Sequence, residues 1–288
     1  MAIGKNLMNR FAEQIDAEVV SNKKVGAYHH IVLSVGRIAV NVRPGNFIAI
    51  AVGGASSSMV LRRAFAIYRA IGREDGQGYI ELVIAPHGQG SKWFCSLGQG
   101  EKVDLVGPLG TAFGIPTEPV RALLVGGGYG SAPLFGLSEV LKNRGCRVDM
   151  VLGASTASKI YAPLEGKRSV SALTITTDDG TAGIRGKVTD VLPKIIDENQ
   201  IEIVYSCGPM AMLEAITKIT KDKSVVHQCA IEESMACGIG VCMTCVIPIK
   251  GEDGIVKMRR SCIEGPVVDG ESVIWESKRK IPEGTWGA

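Results

Sequence analysis

Long apolar runs are missing from this chain of 288 residues. No stretch approaches the ~20 consecutive apolar residues that a membrane-spanning helix needs, which excludes a helical span. The opening stretch from Met1 to Val20 has no apolar centre either, because Asn6, Arg10, Glu13, Gln14, Asp16 and Glu18 interrupt it. No secretory signal is therefore expected, and the expected location is cytoplasmic. Basic runs are absent too. The formal net charge is +3, and Lys278-Arg279-Lys280 is the only basic cluster near an end. That excludes nucleic acid as a partner and makes the cluster a solvated tail. Internal repeats and low-complexity tracts are lacking, which excludes solenoids and linker-like chains. Aromatic residues are few, at 5%.

Glycine, by contrast, is abundant: 36 residues, an eighth of the chain, against a usual ~7%. So much glycine argues for tight turns and for backbone that passes close to ligands. The rest of the composition, 45% hydrophobic and 21% charged, is ordinary for a globular protein. The length fits two or three modest domains. There are eight cysteines. In a cytoplasmic chain such a set points to metal binding or redox work rather than to disulfides.

The first third reads as short β-rich segments at 15–20, 30–35, 47–52, 64–69, 79–84 and 103–106, separated by Gly, Asn, Ser or Pro. That spacing predicts an antiparallel barrel or sandwich. Residues 1–14 read as a short helix or a loose arm. After Pro116 and Pro119 the pattern alternates. Strand 122–125 leads to helix 132–144, strands 147–152 and 173–177, helix 188–199, strand 202–206 and helix 211–221. Alternation of this kind predicts a parallel sheet with helices on both faces. From about Ser224 the chain carries four clustered cysteines and a hairpin signal, 246–249 and 255–258, around Lys250-Gly251-Glu252-Asp253-Gly254. The predicted fold class is multidomain, β plus α/β. It comprises an antiparallel barrel over 1–116, a parallel-sheet domain over 117–223, and a small C-terminal domain with its tail over 224–288.

Cys237, Cys242, Cys245 and Cys262 have the spacing C-x4-C-x2-C, with a fourth cysteine beyond the hairpin. This is the plant-type [2Fe–2S] arrangement. Three thiolates come from one tight loop. The hairpin leaves at Cys245 and brings the fourth back at Cys262. Gly238 and Gly240, lacking a Cβ, let the loop wrap closely and aim N–H groups at the sulfurs. Zinc sites use paired C-x2-C knuckles, and only one such pair is present. Cys229, eight residues before Cys237, reads as a buried structural thiol, as do Cys95 and Cys146.

Strand 122–125 runs into Gly126-Gly127-Gly128-Tyr129-Gly130 and then a helix. Such a turn cradles phosphate, and the helix start supplies N–H donors and a positive dipole end. At the start of a parallel α/β unit it points to a nicotinamide dinucleotide, NAD(H). Cys207-Gly208-Pro209 lies at the C-terminal end of a strand, where ligands of open α/β sheets gather. Gly208 permits close approach and Pro209 suits the first position of a helix, although a plain strand–helix turn explains the tripeptide equally well. The loop from Gly153 to Lys159 holds no acidic residue for a ribose 2′-hydroxyl and no arginine for a 2′-phosphate. Lys159 serves either weakly, so the choice between NADH and NADPH stays open.

In Leu61-Arg62-Arg63-Ala64-Phe65-Ala66-Ile67 an arginine is placed to neutralise a phosphate, and Phe65 to stack on an isoalloxazine ring. Gly88-Gln89-Gly90-Ser91-Lys92 opens a helix over 91–97 and offers a second anion site at its start. Gly107-Pro108-Leu109-Gly110 follows. Taken singly, the arginines also read as solvated surface and Phe65 as core.

Taken in order, RRAFAI, GQGSK, GPLG, GGGYG, CGP and CGIGVC resemble the ferredoxin–NADP reductase superfamily, from about Ile15 to about Ile274. More narrowly, the run Ala230-Ile231-Glu232-Glu233-Ser234-Met235-Ala236-Cys237-Gly238-Ile239-Gly240-Val241-Cys242 is similar to the electron-transfer subunits of NAD-linked, heterodimeric dihydroorotate dehydrogenases. The resemblance implies a flavin site on the strand of Arg63, Ala64, Phe65, Ala66 and Ile67. Arg63 would hold the FAD pyrophosphate, Phe65 and Ile67 would lie against the flavin, and Gly88, Gly90 and Ser91 would bind pyrophosphate at the helix start. Gly126, Gly127, Gly128, Gly130, Gly208 and Pro209 would bind NAD(H). Cys207 would sit beside the nicotinamide, as the catalytic candidate.

The resemblance also implies an oxidoreductase component that needs no side-chain nucleophile or general base. Its partner would be an FMN-containing subunit that oxidises dihydroorotate in pyrimidine biosynthesis, in a heterodimer or a pair of heterodimers. Electrons would pass through the [2Fe–2S] centre to FAD and on to NAD⁺. Ala66 departs from the family's arginine–x–aromatic–Ser/Thr pattern. One hydrogen bond to the flavin is then missing, worth ~0.5–1.5 kcal/mol. Two alternatives stay open. The same relay serves ferredoxin-linked NADH/NADPH transhydrogenases and some hydrogenases, and Ala66 also suits a redox-sensing module with poor turnover. A self-contained oxygenase reductase fits less well, because a C-terminal segment of ~60 residues is short for a full ferredoxin domain. No role is assigned to 275–288.

Overall fold

The computed structural model describes residues 12–54, 57–73 and 75–277. The arm expected over 1–14 lies outside them except for its end, which enters the first strand. The cluster Lys278-Arg279-Lys280 also lies outside them. The first unit contains β1 (Glu13–Val25), β2 (Tyr28–Ser34), β3 (Phe47–Ile50), β4 (Arg63–Ala66), β5 (Arg69–Gly72), β6 (Gly78–Ile84), α1 (Gln89–Ser96) and β7 (Lys102–Leu109). All its strand pairs are antiparallel, in the order β4-β3-β7-β1-β2-β6-β5.

β4 and β5 stand at opposite edges of this sheet, yet only Ile67 and Tyr68 separate them. Two residues reach at most about 7 Å, so the sheet has to curl until its edges meet, as a barrel. The single strand expected over 64–69 is therefore two. The chain changes partners at the join, where Ile67 N–H donates to Asn46 and Tyr68 N–H to Glu81. Alternate side chains fill the interior: Ile31, Leu33, Ile48, Ile50, Ile80, Leu82 and Leu105 are fully buried. Each contributes roughly 1.5–3 kcal/mol by leaving water.

The second unit contains β8 (Arg121–Gly127), α2 (Ala132–Asn143), β9 (Arg147–Ala154), α3 (Pro163–Ser169), β10 (Ala172–Thr177), β11 (Ile184–Arg185), α4 (Val188–Asn199), β12 (Ile203–Cys207), α5 (Met210–Asp222) and β13 (Val226–Ala230). The remaining chain supplies the hairpin β14 (Val246–Lys250) and β15 (Val256–Arg260), the short α6 (Ser261–Glu264) and β16 (Val267–Asp269). The second sheet has the order β11-β10-β9-β8-β12-β13-β16. It is parallel apart from β16, which runs antiparallel to β13. Ala122, Leu123, Leu124 and Val125 of β8 are wholly buried, as a central strand covered on both faces requires. Sheet membership crosses the boundary expected at 223/224. β13 pairs with β12, the chain leaves for the cysteine-rich segment after Ala230, and it returns to the same sheet through β16.

Side-chain contacts at Tyr28, Tyr68 and Arg69 lock the units together. Tyr28 donates to the carbonyl of Lys159 at 2.8 Å. Tyr68 donates to Glu165 at 2.5 Å, and Arg69 ties Glu165, at 2.6 Å, to Glu139.

His227 on β13 gives a pH-dependent term. It is buried between the hydroxyls of Ser206, at 2.7 Å, and Thr217, at 3.0 Å. Burial keeps the imidazole neutral and pushes its pKa down to about 3. The unfolded chain takes up that proton near ~6.5. The stabilisation is therefore complete above that value and lost as the pH falls toward 3, by about 1.4 kcal/mol per pH unit. Thermal unfolding between pH 6.5 and 4 should show the loss, and a His227→Gln variant should show a shallower slope.

Candidate functional site

The candidate flavin face is built from two segments far apart in sequence. On β4, Arg63 and Phe65 share one half-buried face, while Ala64 and Ala66 are exposed on the other. Arg62 is committed elsewhere: it pairs with the Asp104 carboxylate at 2.5 Å and bonds the Asp104 carbonyl at 3.0 Å. Arg63 lies over the start of α1. A Cβ on Gly90 would sit 3.2 Å from its Cγ and Nε, and 3.0 Å from Val52. Glycine at 90 thus lets a guanidinium meet the free N–H groups of a helix start, which is a phosphate cradle. Ser91 Oγ accepts the N–H groups of His87, at 2.9 Å, and Gly88, at 3.1 Å. Its hydroxyl braces the loop. Phe65 tilts against Phe94 with ring centroids 5.3 Å apart, and Ile67 is buried in the barrel core.

The second sheet changes its direction of growth between β8 and β12, so a crevice opens beyond their C-terminal ends. The two glycine-bearing turns interlock there. A Cβ on Gly130 would lie 2.7 Å from Gly208 Cα and 2.9 Å from Gly208 N; one on Gly127 would lie 2.8 Å from Met212 Sδ and 2.9 Å from Pro209 Cδ. A groove of about 700 Å³ follows, lined by Gly127, Gly128, Tyr129 and Pro209 and, from the barrel, by Tyr28, Ala85, Pro86 and His87. Gly126, Gly130, Cys207 and Gly208 are not in its lining; they shape it from behind. Burial, aided by the charge of Glu232, pushes the Cys207 thiol up to about 12. That favours the neutral S–H over the nucleophilic thiolate.

The groove also holds residues that the sequence did not single out. Asp178 follows β10 and lines the groove beside Ser155 and Lys187. Its N–H bonds the carbonyl of Ala154 at 3.1 Å, which brings it to the end of the neighbouring β9. The pair Asp178-Asp179 after a strand was the available signal, one strand away from the loop that was searched. Tyr129 donates to Glu232 at 2.5 Å across the mouth of the same groove.

The four cysteines meet around the loop 237–245. Cys245 and Cys262 are buried, Cys237 is half-buried and Cys242 exposed. Cys242 interacts with Cys237, and Cys262 with Cys245 and, through its charge, with Cys237. Four cysteines at this spacing suit two irons. The N–H groups of Val241 and Cys242 point at Cys237 Sγ, at 3.3 and 3.5 Å. The Thr244 hydroxyl reaches Cys242 Sγ at 3.0 Å and, with backbone N–H groups, brings that thiol down to about 6. Gly240 has φ +84°, and a Cβ there would meet Ile263 at 2.7 Å. The donor set and loop fit a cluster held by sulfur. Cys229, Cys95 and Cys146 are buried in the cores.

The cluster loop lies behind the flavin strand. Cys245 and Cys262 share a core with Phe47, Ala49 and Leu109. Phe47 stands in register opposite Ala66 of β4. The GPLG turn completes the join: Thr111 N–H donates to Gly265 at 2.5 Å, and Gly110 packs against Pro266 and Phe47.

A protein-family profile described as the iron–sulfur cluster binding domain of dihydroorotate dehydrogenase B matches residues 232–274. The electron transfer subunit of dihydroorotate dehydrogenase B (NAD(+)) from Desulforamulus reducens is 31% identical over 242 residues, 84% of this chain and 89% of that protein. The subunit of the same name from Bacillus cereus is 35% identical over 263 residues, 89% and 97% of the two chains. Among solved structures, an NADH-dependent reduced ferredoxin–NADP oxidoreductase studied for flavin-based electron bifurcation aligns with a TM-score of 0.78. That match has 27% identity and covers 90% of each chain. The ferredoxin reductase of carbazole 1,9a-dioxygenase shares the fold, at a TM-score of 0.61 and 22% identity over 74% of this chain and 67% of that one. At this identity over most of both chains, the chain belongs to the family of dihydroorotate dehydrogenase B electron transfer subunits.

Proposed function

We propose that this chain carries electrons from a partner subunit that oxidises dihydroorotate on FMN to NAD⁺, in the cytoplasm and in the service of pyrimidine synthesis. The observation that carries the reading is the shared core of Cys245, Cys262, Phe47, Ala49 and Leu109, one strand away from the flavin strand β4. FAD, when bound, exchanges hydride with nicotinamide and single electrons with the [2Fe–2S] centre. The chain's own residues hold and separate these groups. Arg63 and the start of α1 neutralise the FAD pyrophosphate, and Phe65 backs the ring. The turns 126–130 and 207–209 seat the dinucleotide, with Cys207 as a neutral support behind the groove. Cys237, Cys242, Cys245 and Cys262 ligate the irons. Residues 12–116 form the flavin unit, 117–230 with 267–269 the nicotinamide unit, and 231–266 the cluster unit.

Anaerobic titration with NADH tests the relay. Flavin absorbance should bleach, and the EPR signal of a reduced [2Fe–2S] centre should follow. Bleached flavin with an oxidised, EPR-silent cluster contradicts it. Asp178 gives the nucleotide preference, because a carboxylate at the groove wall repels a 2′-phosphate. Asp178→Asn should raise kcat/KM for NADPH relative to NADH by about tenfold, since one charge repulsion is removed. An unchanged ratio places the ribose elsewhere. The structural likeness to the ferredoxin–NADP oxidoreductase chain favours one second reading, the same relay docked on a different flavoprotein. Reduction of the cluster by dihydroorotate plus its subunit, and not by a ferredoxin-linked partner, separates the two.

A further inference from the structure

The groove runs across the strand ends from β10 to the segment after β13, with Asp178 and Lys187 near one end and Tyr129 and Glu232 near the other. The reactive end of a dinucleotide has to meet the flavin, which the barrel carries, and the barrel reaches the Tyr129 turn: Tyr28 Oη lies 3.9 Å from where a Cβ on Gly128 would stand. Glu232 is at the surface of this end. Its one hydrogen-bond partner among the described residues is Tyr129, at 2.5 Å. It stands close enough to Cys207 for its charge to act on that thiol.

The nicotinamide ring changes charge in the reaction. The oxidised ring is a cation; it gains two electrons and a proton as hydride and becomes neutral. A fixed carboxylate beside it therefore acts on one redox form and not on the other. We infer that Glu232, held by Tyr129, faces the nicotinamide and makes the groove favour NAD⁺ over NADH. The inference rests on the groove being the NAD(H) site. Glu232 then acts as a charge-setting residue: it shifts the bound couple toward the oxidised form and helps NADH to leave.

The test is a pair of dissociation constants on the oxidised, FAD- and iron-loaded protein, read by flavin absorbance or calorimetry. NAD⁺ supplies the cationic ring, and tetrahydro-NAD, which cannot transfer hydride, supplies a neutral one. Glu232→Gln keeps the shape at an exposed position and removes the charge. It should weaken NAD⁺ relative to tetrahydro-NAD by about tenfold. Tyr129→Phe frees the carboxylate and should move the ratio the same way by about threefold, since one neutral hydrogen bond is lost; it also carries the test if the first variant fails to fold. A ratio unchanged in both variants, or two affinities that fall together, overturns the inference. A wild-type protein that binds neither nucleotide overturns the NAD(H) reading itself, and the inference with it.

Discussion

Replacing Cys262 by serine should abolish dihydroorotate-dependent NAD⁺ reduction while NADH oxidation with ferricyanide survives. Cys262 is fully buried in the small core where the cluster loop meets the barrel. A serine hydroxyl does not replace a thiolate toward iron, and one ligand fewer leaves the second iron half held. The loss should exceed the ~100-fold that removal of a mere supporting contact costs a metal site. It also reaches the fold. A buried hydroxyl without a partner costs about 1–3 kcal/mol, and the binding energy of a metal group is folding energy for the segment that wraps it. Iron content and the EPR signal should vanish, and the segment 231–266 should become protease-sensitive. FAD should stay, because Arg63 and the start of α1 hold it from the other side of β3. Loss of FAD together with iron would contradict that division of labour.

Gly130→Val should raise the KM for NADH by about 100-fold, the order expected when a positioning element moves by ~1 Å, with FAD and iron content unchanged. The contact at fault is backbone against backbone. A Cβ at 130 would lie 2.7 Å from Gly208 Cα, and neither turn has a side chain that can swing away. The ends of β8 and β12 have to separate, and the groove lies between them. Gly128 is the internal control. A Cβ there meets open space, with Tyr28 Oη 3.9 Å away, although φ is +57°. Gly128→Ala should therefore cost only the ~1 kcal/mol of a left-handed alanine. Steady-state kinetics on both variants, with flavin quantified, checks the contrast. Equal effects would mean that strain, not the approach of the two turns, sets the requirement.

The chemistry that lies in one short stretch was legible in the sequence. Four thiolates at fixed spacing, a glycine turn after an apolar strand, and Cys207-Gly208-Pro209 at a strand end each carry their own geometry. Features made by distant segments were not legible. Residues 64–69 look like one strand because their β-rich pattern has no break. Closing the barrel is what divides them at Ile67, and no local residue signals the change of partner. The C-terminal unit was expected from about Ser224, and no strand was expected at 226–230; the pairing of β13 with β12 is a property of the whole sheet. Arg62 and Arg63 are indistinguishable as letters; Asp104, some forty residues on, takes Arg62, whereas Arg63 bonds only the carbonyls of Leu61 and Arg62 among the described residues. Asp178, Glu232 and Tyr129 reach the groove from three different strand ends.

Dihydroorotate-dependent NAD⁺ reduction by this chain co-expressed with an FMN-carrying, dihydroorotate-oxidising subunit bears most directly on the assignment. FAD and iron should be quantified in the same sample. Activity that requires both chains, with stoichiometric FAD and a pair of irons in this one, is the predicted result. A folded chain that binds FAD but no iron, and fails to link dihydroorotate to NAD⁺ with that subunit present, would contradict it.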